Sequence, residues 1–332
     1  MKAPFPYFGG KSRISSQVWE RFGDVARYIE PFAGSLAVLL DRPSPFNGRE
    51  IVNDSDGLLV NVWRALASDP SAVAQWADWP ATESDMHARH IWLVGQRDSL
   101  TARLEGDPDY FDAKAAGWWL WGKGLWIGGG WCGGNGPWRI VEDEEGKLLH
   151  AGNDGQGIHR QLLHAGNDGQ GIHRQRLHAG DTLLAAFEPL AERLRDVMVM
   201  AGDWTRVVTP AVMMGSGKGR NATAGACAIF LDPPYSDAER EGGLYAHDNA
   251  AGLADAVREW AIANGDDPRL RIALCGYAGE HAMPESWVEV PWRTKGGYAS
   301  QSKGLTRARE NVGRERIWFS PHCQRSGLWD AA

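Results

Sequence analysis

Four consecutive residues, Asp232, Pro233, Pro234 and Tyr235, join an acid and an aromatic through two rings that have no backbone N–H. They end an apolar run, Ala226 to Leu231, that is short and bounded by turn residues. Such a run suits a strand buried on both faces, although a buried helical turn has the same periodicity. Proline fixes its own φ, cannot donate a ladder hydrogen bond and pushes the residue before it into an extended conformation. Asp232 is therefore a carboxylate on a stiff backbone at the carboxyl end of a central strand, with an aromatic face beside it. In open α/β sheets that edge binds ligands. A second chemical feature lies between Arg293 and Arg316, where seven Lys or Arg stand against two Glu, a local charge of +5. Interleaved with Gly and Ser, this stretch reads equally as a phosphate-contacting loop or as a solvated surface segment.

An alternation of strands and helices has to position these groups. "PYFGGK", residues 6–11, places paired glycines before Lys11, and an amphipathic helix is expected from near Ser12. "YIEPFAGSLAVLL" reads as a strand ending at Tyr28 and Ile29, a turn through "EPFAGS" with Gly34 near its apex, and a helix from Leu36 to Leu40. Strand, small-residue turn and helix form a nucleotide-binding crossover unit. "EIVNDSDGLL" repeats the pattern, with a strand through Val52 and Asp54 at its end. An acid there, about 20 residues past a glycine turn, is placed to accept hydrogen bonds from ribose hydroxyls; the alternative is a helix N-cap. Further strands are expected at "RDVMVMAGDW", "RIALCGY", "WVEVPWR" and "RERIWFSP", with a helix from about Ala250 to Asn264. The pattern implies an α/β fold with a mostly parallel sheet and a C-terminal antiparallel hairpin.

Residues 61–181 break this alternation and read as an inserted, mainly helical domain, leaving 1–60 and 182–332 as the sheet domain. The insertion holds the cluster "GWWLWGKGLWIGGGWCGGNGPW" at 117–138, part of a total of 17 Trp. A tandem repeat follows over 149–176: "LHAGNDGQGIHRQ" occurs at 149–161 and again at 163–175. Two copies of a 14-residue period are too few for a solenoid, and their Gly, Asn and Asp content signals a hairpin-like or irregular excursion. Arg160 and Arg174 in the repeat could touch phosphates. The repeated histidines lack cysteine or carboxylate partners at ligand spacing, so no metal is expected.

Composition bounds the rest. The 332 residues suffice for a large core, and 43% hydrophobic with 23% charged residues is ordinary for a globular protein. A net charge of −7 argues against a protein that coats nucleic acid with its whole surface. No run of about 18 apolar residues exists and the amino terminus lacks a signal pattern, so a cytoplasmic protein is expected, without membrane contact. Four widely spaced cysteines exclude a CxxC knuckle.

"PYFGGK", "EPFAGS", "ND" at 53 and 54, "GDW" at 202–204 and "DPPY" at 232–235, in this order, resemble the Dam-like adenine-specific DNA methyltransferases, phage- and prophage-type members in particular. The resemblance implies a Rossmann-like methyltransferase sheet whose insertion is a target-recognition domain, S-adenosylmethionine as cofactor, no metal, and double-stranded DNA as partner of a monomer or weak dimer. It implies a bacterial or phage-infected cell, with or without a restriction partner. Asp232, Pro233, Pro234 and Tyr235 would be catalytic: Asp232 and the Pro233 carbonyl accept the two hydrogens of an adenine amino group, and Tyr235 stacks on the flipped base. Tyr7, Gly9, Lys11, Glu30, Pro31, Phe32, Gly34 and Ser35 would hold the methionine end of the cofactor, Asp54 its ribose, and Asp203 and Trp204 its adenine, close to Asp232. Arg293, Lys295, Lys303, Arg307, Arg160 and Arg174 would contact DNA. Two departures stand out. Where the family usually has a second glycine two or so positions after Gly34, this chain has Ser35, Leu36 and Ala37, and Tyr7 replaces a tryptophan. Methylation of cytosine amino groups or of RNA adenine, and a silent DNA-binding protein of the same fold, are the competing readings.

Overall fold

The computed structural model describes residues 1–5, 7, 10–46, 48–107, 109–126, 131–132, 138–142, 148–152, 179–215, 225–235, 250–292 and 314–325. Along the chain these form α1 (Ser15–Phe22), β1 (Arg27–Glu30), α2 (Ala37–Leu40), β2 (Arg49–Asp54), α3 (Gly57–Ser68), α4 (Pro70–Ala77), α5 (Glu83–Gly106) and α6 (Ala113–Leu125). There follow β3 (Trp138–Glu142), β4 (Leu148–Gly152), α7 (Ala179–Leu194), β5 (Val197–Ala201), α8 (Pro210–Met214), β6 (Cys227–Leu231), α9 (Ala250–Asn264), β7 (Leu270–Tyr277), β8 (Val288–Pro291) and β9 (Glu315–Phe319). The tandem repeat lies outside the described residues, except that its first four residues belong to β4, which pairs antiparallel with β3.

The chain divides into two compact units. One comprises Lys11–Asn53, Asp203–Arg240 and Asn249–Ala332. It holds six strands of the seven-stranded main sheet, in the order β2-β1-β6-β7-β9-β8. β1 runs parallel to β2 and β6, and β6 parallel to β7, with Ile29 opposite Ile229 and Leu231 opposite Leu274. Every residue of β1 and β6 is buried, as expected of parallel strands covered on both faces. β9 returns antiparallel beside β7 and β8 antiparallel beside β9, so Tyr277 faces Glu315 and Pro291 faces Arg316. The expected hairpin is present, with its second strand inside the sheet and its first at the edge.

Two local differences from the sequence reading have physical causes. α1 begins at Ser15 rather than near Ser12, because Lys11 to Ile14 form a turn in which the Lys11 carbonyl accepts from the N–H groups of Ile14 and Ser15. α2 begins at Ala37 rather than Leu36, because Leu36 adopts φ 55° and ψ 26°, the left-handed conformation, just before the helix.

The other unit comprises Met1–Gly10, Asp54–Gly202 and Glu241–Asp248 and is mainly helical in its described residues. Four of its helices, α3 to α6, start on side-chain caps: Asp56 accepts from Leu58 N–H, Asp69 from Ala72, Thr82 from Asp85 and Asp112 from Ala115. Tryptophans fill its interior. Phe5 packs on Trp63 and Trp119, His90 stacks on Trp131, and the Arg89 guanidinium lies over Trp79, Trp118 and Trp121. The alternation of Gly and Trp in α6 follows from this packing. A Cβ on Gly117 would stand 2.4 Å from Trp76 Cβ, and one on Gly122 1.9 Å from the Trp131 ring. No helix among the described residues is long and apolar enough to cross a membrane.

Candidate active site

The carboxyl ends of β1, β6 and β7 meet at one edge of the sheet, and the side chains there form a connected polar cluster. Asp232 follows β6 directly. Its Oδ2 lies 2.8 Å from Lys11 Nζ, with the lysine side chain 4% and the aspartate side chain 22% exposed. Pro233 is buried behind it and Tyr235 is 6% exposed. The Tyr235 hydroxyl lies 2.9 Å from Glu315 Oε2 and 3.3 Å from Asp232 Oδ1. Its ring meets Tyr277 edge to face at 4.6 Å, and Lys11 Nζ stands 5.2 Å from its centroid. Trp292, just beyond β8, brings a second ring to 5.6 Å from the same ammonium.

Electrostatics follow from this enclosure. Burial, the largest single influence, would lower the Lys11 ammonium, but the charge and hydrogen bond of Asp232 together with Cys275 and Glu315 outweigh it and carry Lys11 above the ordinary lysine value. Burial pushes Glu315 upward, opposed by Lys11 and by the Tyr235 hydroxyl. Tyr235 itself is raised, first by burial and then by the negative charge of Asp232. One strand away, Glu30 is 3% exposed and accepts from the Tyr28 hydroxyl at 3.0 Å. Burial raises its carboxyl to about 8, so it holds a proton at neutral pH. Cys275 at the end of β7 is buried, and burial raises its thiol far above the ordinary range, which leaves it inert as a nucleophile.

The turn after β1 is pinned to the next strand. Asn53 Nδ2 donates to the Pro31 carbonyl at 3.1 Å, and Ala33 N–H donates to the Asn53 carbonyl at 2.8 Å. Positive φ at Gly34, 48°, and at Leu36, 55°, closes the turn. Leu36 thus takes the conformation for which glycine is the usual residue. Phe32 stacks on Trp204 with centroids 6.1 Å apart, and Trp204 also meets Trp260 edge to face. Asp203 is exposed and caps the short 3-10 turn Trp204–Val207 through Thr205. Ser35 is buried.

Lys11, Glu30, Asp232 and Tyr235, all singled out by sequence, therefore converge, and Phe32 pairs with Trp204. Tyr7 and Asp54 belong to the helical unit. There Tyr7 lies beside Phe5 with Lys123 over its ring, and Asp54 Oδ1 accepts from Asp56 N–H, while the N-cap of α3 is Asp56 rather than Asp54. Gly9, Arg160, Arg174, Arg293, Lys295, Lys303 and Arg307 lie outside the described residues. Two members of the cluster, Glu315 and Trp292, were not anticipated. Glu315 shares its strand face with Ile317 and Phe319, all three buried, and a carboxylate in an otherwise apolar alternation was the available signal.

The chemistry of these groups suits a charged, partly aromatic small molecule such as S-adenosylmethionine. A buried carboxyl stands at the tip of β1, a tight turn allows close backbone approach, and an aromatic pair offers a flat surface, all at the edge where such sheets bind ligands. Among the described residues no group of three or more His, Cys, Asp or Glu is arranged to hold a metal ion.

No curated protein matches the chain. Residues 7–85 match the family model of the D12 class N6 adenine-specific DNA methyltransferase, a stretch that includes "EPFAGS" and Asn53-Asp54 but ends well before "DPPY". By that match this stretch of the chain is similar to the D12 class N6 adenine-specific DNA methyltransferases.

Proposed function

We propose that this enzyme transfers a methyl group from S-adenosylmethionine to the exocyclic amino nitrogen of an adenine turned out of a DNA duplex. Bound S-adenosylmethionine supplies an electrophilic methyl group on a sulfonium. The adenine amino group is a poor nucleophile, because its lone pair is delocalised into the purine. Asp232 and the Pro233 carbonyl accept its two hydrogens, which favours a pyramidal nitrogen and stabilises the positive charge that develops there. Asp232 acts by position and charge, with proton loss after transfer, and no covalent enzyme intermediate is required.

The observation that carries this reading is the setting of Asp232: fixed at the end of β6 before two prolines, ion-paired with buried Lys11, and still 22% exposed to an incoming group. A carboxylate has about four acceptor positions, so Lys11 on Oδ2 leaves capacity for an amino hydrogen. Glu30 to Ser35 would hold the methionine end of the cofactor, and Asp203, Phe32 and Trp204 its adenine. The roles of Tyr7 and Asp54 rest on the resemblance alone. Flipping a base costs a few kcal/mol, and stacking on Tyr235 returns a comparable amount. Lys11 Nζ stands 5.2 Å from the centroid of that ring, so a base stacking on the same face would displace the ammonium.

Residues 61–181 serve in this proposal as the target-recognition domain. Arg160, Arg174, Arg293, Lys295, Lys303 and Arg307 contact phosphates of double-stranded DNA. The enzyme works as a monomer or weak dimer in the cytoplasm. The test uses S-adenosylmethionine tritiated in its methyl group and unmethylated duplex DNA, followed by digestion to nucleosides. Label in N6-methyladenine supports the proposal; label in methylcytosine, or none in DNA, rejects it.

A further inference from the structure

Beyond the residues that the motifs supply, the cluster contains one carboxylate from the far end of the chain. We infer that Glu315 is a positioning residue for methyl transfer, binding the Tyr235 hydroxyl so that its proton stays off Asp232. The inference deepens the proposed role of Asp232 and rests on it.

The topology explains how Glu315 arrives there. β6 and β7 run in parallel and end together, with Leu231 opposite Leu274. β9 runs the other way, so its first residue, Glu315, pairs with Tyr277 at the end of β7 and faces the turn that follows β6. The Glu315 carbonyl accepts from Trp292 N–H at 3.2 Å and from Arg316 Nη1 at 2.9 Å, which fixes the backbone of this residue. Its side chain is buried, facing Tyr235, with Lys11, Asp232 and Glu280 as the other charged groups acting on it.

A phenol has one proton and can donate it once. Of the two acceptors seen among the described residues, Glu315 Oε2 at 2.9 Å is well inside hydrogen-bond range, whereas Asp232 Oδ1 at 3.3 Å lies beyond the usual length for an O–H donor. With Glu315 present the proton points away from Asp232, and Oδ1 remains an acceptor for the substrate. Without it the nearest acceptor for the hydroxyl among the described residues is Asp232 Oδ1, where its proton occupies one of that oxygen's acceptor positions and competes with the amino group.

Four proteins test this: Glu315→Leu, Glu315→Gln, Tyr235→Phe and the double variant Tyr235→Phe with Glu315→Leu. Each is assayed for kcat on duplex DNA, for cofactor affinity by calorimetry, and for unfolding in urea. Glu315→Leu is expected to lower kcat about 10-fold with unchanged cofactor affinity, the scale of one hydrogen bond. Glu315→Gln, which keeps an acceptor, should retain most activity. Tyr235→Phe in the Glu315→Leu background should recover activity, since it removes the misdirected proton. Losses that multiply in the double variant, or Glu315→Leu with normal kcat, would overturn the inference. If Glu315→Leu does not fold, Glu315→Gln as inactive as Asp232→Ala overturns it instead. A wild type that transfers no methyl group to adenine rejects the underlying reading, while coupling between positions 235 and 315 in the unfolding data still decides the contact.

Discussion

Lys11 Nζ and Asp232 Oδ2 lie 2.8 Å apart, although 221 residues separate them in the chain, and the lysine is almost wholly enclosed. The pair ties the turn before α1 to the turn after β6. Removing one member of a buried pair leaves the other charge uncompensated, a loss of about 3–5 kcal/mol where both are fully enclosed. Asp232 keeps partial contact with water, so Lys11→Met is expected to destabilise by less, about 2 kcal/mol. Urea unfolding measures it, and Asp232→Asn in the Lys11→Met protein should recover most of the loss. The raised lysine makes its contribution fully present below the ordinary value of 10.5, to be lost only as pH climbs beyond it.

Glu30 predicts a pH dependence nearer neutrality. Its folded value of about 8 lies above the ordinary 4.5, so the folded state binds its proton more tightly than the unfolded chain. The stability it contributes is complete below pH 4.5 and is lost as pH rises through 8. Glu30→Gln keeps an acceptor for Tyr28 and does not titrate. Thermal melts of the cofactor-free protein should show the variant gaining on the wild type between pH 5 and pH 8.5, by about 5 °C at the upper end. Parallel curves for the two proteins would show that Glu30 is not enclosed.

Leu36 stands where a second glycine would relieve a left-handed backbone, yet its side chain is fully buried. Relief of strain is worth about 1–2 kcal/mol, and the added freedom of glycine in the unfolded chain takes back about 0.5–1. Loss of a buried leucine costs about 2–5 kcal/mol. The lost packing outweighs the relieved strain, so Leu36→Gly should destabilise by about 2 kcal/mol in urea unfolding. A more stable variant would mean that backbone strain outweighs the packing.

The strands of the main sheet were legible because buried strands write their periods into the chain, and α9 was expected over the span it occupies, Ala250 to Asn264. Asp232 was legible because two prolines mark the end of its strand. Leu36 was not, since its conformation is imposed by burial against local preference. Glu315 was not, because its partner is 80 residues away and only the antiparallel return of β9 brings them together. The tryptophans of α6 carried no clear period, as they pack on several sides of one helix whose glycines make room for them.

The central claim is that Asp232 receives the amino group of adenine. The most direct measurement is single-turnover methyl transfer to unmethylated duplex DNA by wild type and Asp232→Ala, with cofactor affinity determined for both. Loss of transfer to background in the variant, with cofactor affinity within about threefold of wild type, is the predicted result. Retained transfer by Asp232→Ala would contradict it.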